Sequence, residues 1–164
     1  MPSRVADPTS AYHRKNLLID SNLLLLFFVG LNDRTRIAKF KRTAQFTVED
    51  FECLIDFVKK FKGIVTTPSI LTEVSNLLGQ VPDKLRYAFF EHFADGLKNL
   101  DEHYTPSREL GNEKAFPKFG LTDTAILQAA SGKYLVLTDD LRLAQYLLGQ
   151  NVDVINFNHL RTFD

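Results

Sequence analysis

The sequence is poor in the features that would classify it by bulk chemistry. Its 20 lysines and arginines are balanced by 20 aspartates and glutamates, for a formal net charge of zero over 164 residues. No global field draws it to nucleic acid or to an anionic membrane, so any such binding must come from local patches. A single cysteine, Cys53, excludes an intramolecular disulfide and a multi-cysteine zinc cluster. Four histidines, His13, His92, His103 and His159, are scattered without metal-ligand spacing. The polar start MPSRVADPTSAYHRKN lacks the apolar stretch of a signal peptide. The greasy run at 17–29 is too short to span a bilayer and carries Asp20 inside it. A cytoplasmic protein without a membrane segment is the expectation. Core material, by contrast, is ample: 45% of the residues are hydrophobic, enough for one well-packed domain.

No internal repeat or low-complexity linker interrupts the chain, so 1–164 reads as one domain with a loose arm at 1–14. Residues 16–20 (NLLID) form a short buried strand ending on a carboxylate, and 21–30 an almost wholly apolar helix. Thr47-Val48-Glu49-Asp50 is a helix-start box. The helix it opens carries Phe51, Leu54, Ile55, Val58 and Phe61 at helical spacing, with Gly63 as its stop. A second strand at 64–67 leads into a helix begun by Thr67-Pro68. An amphipathic helix at 83–100 and an irregular stretch at 101–120 follow. Then come a helix at 121–130 behind Thr122, a strand at 133–137, a helix at 140–148 and a strand at 152–156. Short apolar strands alternating with helices predict an α/β fold, a mainly parallel sheet covered on both faces.

In such sheets ligands bind beyond the carboxyl ends of the strands. Asp20 closes the first strand, Glu73 lies on the helix after the second, and Asp139 and Asp140 follow the strand at 133–137. Asp123 sits in the first turn of the helix leading into that strand. On a helical wheel, Asp123 falls within the arc of Ala125, Ile126, Leu127, Ala129 and Ala130, and a buried acid needs a partner. The same wheel centres Asp140 among Leu141, Leu143, Ala144, Leu147 and Leu148 and leaves Asp139 outside. Asp140 is therefore preferred, with Asp139 read as a turn or cap residue. Taken singly, a first-turn Asp such as Asp123 also suits the helix dipole, and Glu73 suits a solvated helix face. Two carboxylates about 4 Å apart repel by roughly 4 kcal/mol at an effective dielectric near 20, so a crowded set takes up protons or a cation.

The segments LLIDSN, TTPSILTEVSNLL, GLTDTAILQAA and VLTDDLRLAQYL resemble the four acidic motifs of the PIN-domain nucleases. The likeness runs over about residues 15–157 and extends to the toxin ribonucleases of the VapC type. It implies a three-layer α/β/α sandwich with Mg²⁺ or Mn²⁺ held by Asp20, Glu73, Asp123 and Asp140. Asn22 and Thr138 match the family's small polar residues beside the metal. The implied activity is RNA cleavage leaving a 5′-phosphate and a 3′-hydroxyl. The sequence departs from the compact toxins in a long middle, residues 83–120, which includes YTPSRELGNEKAFPKFG.

Candidate phosphate contacts are Arg14, Lys15, Arg34, Arg36, Lys41 and Arg42, although basic stretches are usually solvated faces. Arg142 is closest in sequence to a proposed ligand, but its helical phase points it away from the Asp140 face. The expected partners are RNA, a cognate antitoxin, and a second copy in a homodimer. The apolar surplus at 23–29 and at Tyr87, Phe89, Phe90 and Phe93 suits either a dimer face or the core. A PIN-like module that binds RNA or protein without cutting is the alternative. A phosphatase of the haloacid dehalogenase class is a third, disfavoured because Asn22 stands where its second acid belongs.

Overall fold

The computed structural model describes residue 7 and residues 9–161, so part of the arm at 1–14 lies outside the described residues. The described part of that arm is anchored. Ser10–Tyr12 forms a 3-10 turn, and the Tyr12 hydroxyl donates to the Asp153 carboxylate.

Five strands form one sheet: β1 (Asn16–Ile19), β2 (Gly63–Thr66), β3 (Leu100–Glu102), β4 (Leu135–Thr138) and β5 (Val154–Asn156). Their order is β3-β2-β1-β4-β5, and every pairing is parallel. The helices are α1 (Ser21–Asn32), α2 (Arg36–Lys39), α3 (Val48–Val58), α4 (Pro68–Leu78) and α5 (Asp83–Leu97), followed by α6 (Ser107–Leu110), α7 (Phe116–Ala130), α8 (Leu141–Gly149) and α9 (Phe157–Leu160). They flank the sheet in the α/β/α arrangement the sequence predicts. Leu17, Leu18, Ile19, Val136 and Leu137 are wholly buried, as central parallel strands covered on both faces must be.

Helix α1 is apolar around its whole circumference because it is enclosed: it packs against α3, α4 and α5. Leu23 to Leu26, Phe28 and Val29 are buried, as are Phe89 and Phe93 of α5, whereas Tyr87 is 76% exposed. The apolar surplus of the sequence thus goes mainly into the core. Thr47 caps α3 through a complete capping box with Asp50, and Asp50 also pairs with Arg161 at 2.7 Å, tying the end of the described chain to α3.

The middle of the chain departs from the sequence reading. Helix α3 ends at Val58, and Gly63 opens β2 instead of stopping the helix. Helix α5 ends at Leu97, and Leu100–Glu102 pairs with β2 as an edge strand inside a stretch read as helix and loop. That strand is mostly exposed, so it carries no apolar run to announce it. The rest of the supposedly irregular 101–120 holds α6 and the first segment of α7.

One close approach depends on a missing side chain. A Cβ on Gly30 of α1 would lie 2.3 Å from the ring of Phe51, itself fully buried in α3. Gly30→Ala therefore forces the two helices apart and should lower stability by about 1–3 kcal/mol, despite the better helix propensity of alanine. Urea unfolding of the two proteins checks it; an equal or more stable variant would refute this packing.

Candidate active site

The strand order reverses beside β1. The chain runs outward through β2 and β3, then returns to place β4 on the other side of β1. A parallel sheet opens a crevice at such a switch point, beyond its carboxyl ends. Asp20 follows β1 there, Thr138 ends β4, and Asp139 and Asp140 come next.

Asp20 is the N-cap of α1, and its Oδ1 accepts the Ser21 N–H at 2.6 Å. Its Oδ2 accepts the Thr138 hydroxyl at 2.6 Å, and the same hydroxyl accepts the Asp140 N–H at 3.0 Å. On the other flank, Glu73 of α4 accepts the Ser21 hydroxyl at 2.7 Å and the Thr122 hydroxyl at 2.6 Å. Thr122 is the neighbour of Asp123. Four elements distant in sequence are thus stitched together by three hydroxyl groups. Ser21 and Thr122, which the sequence marks only as helix-start residues, are the bridges; each stands next in sequence to a proposed acid, the one signal of that role.

The acids act on one another electrostatically. Asp20 is buried, and this pushes its carboxyl up to about 6, with Asp139 and Asp140 adding to the push and the Thr138 and Ser21 hydrogen bonds opposing it. Asp123 is half-buried; burial first, then the charges of Asp20, Asp140 and Glu73, raise it to about 7, against a smaller opposing pull from Arg142. All four proposed acids therefore share one electrostatic environment. Among the described residues, no group of three His, Cys, Asp or Glu side chains stands ready to hold an ion as placed. The carboxylates of Asp20, Glu73 and Asp140 are engaged by hydroxyl and amide donors instead.

Two sequence expectations need correction. Asp140 does not lie within the apolar arc of α8; it precedes the helix as its N-cap, accepts the Leu143 N–H at 3.0 Å and is exposed. The wheel assumed a helix one residue too long. Asp139 is not the cap. It is partly buried, its carboxyl is raised chiefly by that burial, and Asn22 hydrogen-bonds it, while its buried Oδ1 has no hydrogen-bond partner. Asn22 therefore serves Asp139 and Thr138 serves Asp20.

The candidate phosphate contacts fall elsewhere. Arg14 and Lys15 precede β1, and Arg34, Arg36, Lys41 and Arg42 follow α1, so all six stand toward the amino edge of the sheet. The 12 residues of α1 put about 18 Å between the two edges. Several are already engaged: Arg34 pairs with Glu52, and Arg42 donates to Gln80 at 2.7 Å. Arg142, set aside on helical phase, is the cation that acts on Asp123.

No family model, no curated protein and no solved structure matches this chain.

Because Asp20 and Asp123 titrate higher folded than unfolded, the folded chain holds protons that the unfolded chain has released between about pH 4 and 7. This contribution to stability is therefore lost as pH rises through that window. In EDTA, Asp20→Asn should melt higher than wild type at pH 7.5, by about 1 kcal/mol, and show no such gain at pH 4. A variant less stable at both pH values would mean that Asp20 is simply a cap and hydrogen-bond acceptor.

Proposed function

We propose that this chain is a metal-dependent endoribonuclease of the PIN type, hydrolysing RNA phosphodiester bonds at the carboxyl edge of its sheet. The observation that carries the reading is the gathering of Asp20, Glu73, Asp123 and Asp140 at the switch point from four separate elements, with Asp20 and Glu73 held by hydroxyl groups and Asp123 feeling the charges of the other three. An all-oxygen donor set of this kind suits the hard ions Mg²⁺ and Mn²⁺. The upward push on Asp20 and Asp123 is the strain a divalent cation would relieve. When bound, such an ion supplies charge neutralisation, orientation of the scissile phosphate and an activated water.

The protein's own groups have definable tasks. Thr138 holds Asp20, while Ser21 and Thr122 hold Glu73, so the four proposed ligand segments are tied to one another. The N-termini of α1 and α8 face the same edge, with Asp20 and Asp140 at their caps. Their backbone dipoles favour negative charge, of the carboxylates and of an incoming phosphate. Within this reading, the chain is the toxin of a toxin–antitoxin pair acting in the cytoplasm, with RNA, a cognate antitoxin and a homodimeric partner. Among the described residues, no helix is long and apolar enough to cross a membrane.

One observation favours a second reading, a silent PIN-like module that binds RNA or protein. Both oxygens of Glu73 and both of Asp20 already have hydrogen-bond donors, so these acids can be satisfied without an ion.

Cleavage and metal response separate the two. The purified protein should cut RNA in Mg²⁺ or Mn²⁺, stop in EDTA, and lose more than about 100-fold in rate on Asp20→Asn or Asp123→Asn. Asp140→Asn is the cleanest variant, because asparagine caps a helix as well as aspartate. It should lower activity without lowering stability, and lower it more than Asp139→Asn does. Equal activity in EDTA, or an unaffected Asp20→Asn, refutes the nuclease.

Thermal unfolding gives an independent test. Mn²⁺ at 100 times its dissociation constant should stabilise wild type by about 2.7 kcal/mol through mass action, and Asp20→Asn far less. Identical shifts in both proteins would place the ion elsewhere.

A further inference from the structure

Beside the acids, on the side of α7 and α8, lies a small aromatic and cationic ledge that the carboxylate chemistry does not use. Helix α7 is two helical segments joined at Gly120, whose φ of +78° and ψ of −169° lie in a region essentially reserved for glycine. A Cβ there would meet nothing within 4 Å, so it is the backbone bend, not lack of space, that calls for glycine. The bend lets Phe119 end one segment against α8 while Thr122 and Asp123 begin the next at the acidic edge. The Phe119 ring lies 4.5 Å from that of Tyr146, tilted by 43°, and the Arg142 guanidinium sits 4.9 Å from the Phe119 centroid. Arg142 is exposed, stands two residues after Asp140 and acts electrostatically on Asp123. Leu121 and Leu141, 39% and 55% exposed, flank the two helix starts.

The Lys118 ammonium lies 5.4 Å from the same ring, and one Arg142 N–H reaches the Lys118 carbonyl at 3.5 Å. A planar cation on an exposed side chain over an aromatic ring offers a surface on which any base can stack and further N–H donors for its phosphate. Bases locked inside a duplex have no face to offer it. The geometry points to Phe119, Arg142 and Tyr146 as the seat of an unpaired base beside the acids; this rests on the nuclease reading above. Arg142 and Phe119 are then substrate-binding residues, and the electropositive contact lies beside the acids and not among the distant basic stretches.

The test is fluorescence anisotropy of a labelled unstructured ten-nucleotide RNA, and of the same strand annealed to its complement. Ca²⁺, another hard divalent ion, replaces Mg²⁺ so that binding is read apart from turnover. Wild type should bind the single strand at least about tenfold more tightly than the duplex. Phe119→Ala and Arg142→Ala should each weaken the single strand by about tenfold, from the loss of one stacked base. Phe119→Tyr should restore it, and Arg142→Lys, which keeps charge but not the planar fork, should not. If Phe119→Ala fails to fold, Arg142→Lys against Arg142→Ala decides. Unchanged single-strand binding in the arginine variants, or equal binding of duplex by wild type, overturns the proposal. Cleavage in Mg²⁺ judges the nuclease separately: tenfold effects on binding without any cleavage keep the ledge and remove the nuclease.

Discussion

The bond from the Thr138 hydroxyl to the Asp20 carboxylate holds the candidate site together, and its position explains why. It joins the carboxyl ends of the adjacent strands β1 and β4, where the strand order reverses. A buried carboxylate needs donors, and here they come from the hydroxyl of the neighbouring strand and the first amide of the helix that Asp20 caps. One residue thereby ends a strand, starts a helix and anchors an acidic cluster. Thr138 in turn accepts the amide of Asp140, so the second strand's own helix start is fixed by the same hydroxyl.

The cluster extends from there by hydroxyl bridges, not by ion pairs. Ser21 and Thr122 each donate to Glu73, and the acids gather without a lysine or arginine inserted among them in those bonds. A guanidinium in that position would satisfy the carboxylates, but it would also occupy their charge. Hydroxyls orient them and leave the negative potential in place. Burial first, and the neighbouring acids after it, raise Asp20 and Asp123, and the Thr138 hydroxyl offsets only part of the rise on Asp20. Arg142 reduces the effect on Asp123 from the rim, held against Phe119 by the bend at Gly120.

Zero net charge conceals this organisation. The acids gather at the carboxyl edge, and the basic candidates of the sequence stand toward the amino edge, a helix length away. In a parallel sheet the residues just before a strand and just after it emerge at opposite edges, so proximity in sequence is a poor guide to proximity in space. Lys15 and Asp20 are separated by one short strand and lie at its two ends.

Much of this was legible in the residues themselves. The alternation of short apolar strands with helices determined the α/β class and the parallel sheet, because burial on both faces demands continuous apolar strands. The Thr47 box, the Thr67-Pro68 start and the carboxylates after strands were readable for the same local reason: caps and turns use side chains a few residues away. Other features only the tertiary structure decided. The edge strand at Leu100–Glu102 owes its existence to pairing with β2 and not to any pattern of its own. That Asp140 and not Asp139 caps α8 turned on a single residue of helix boundary, which periodicity cannot fix. The bridges from Ser21 and Thr122 to Glu73 span 52 and 49 residues. The stacking of Arg142 on Phe119 depends on a bend at one glycine. Local sequence sets which residues can turn, cap or bury; which of them meet is set by long-range packing, and that is decided only when the whole chain folds.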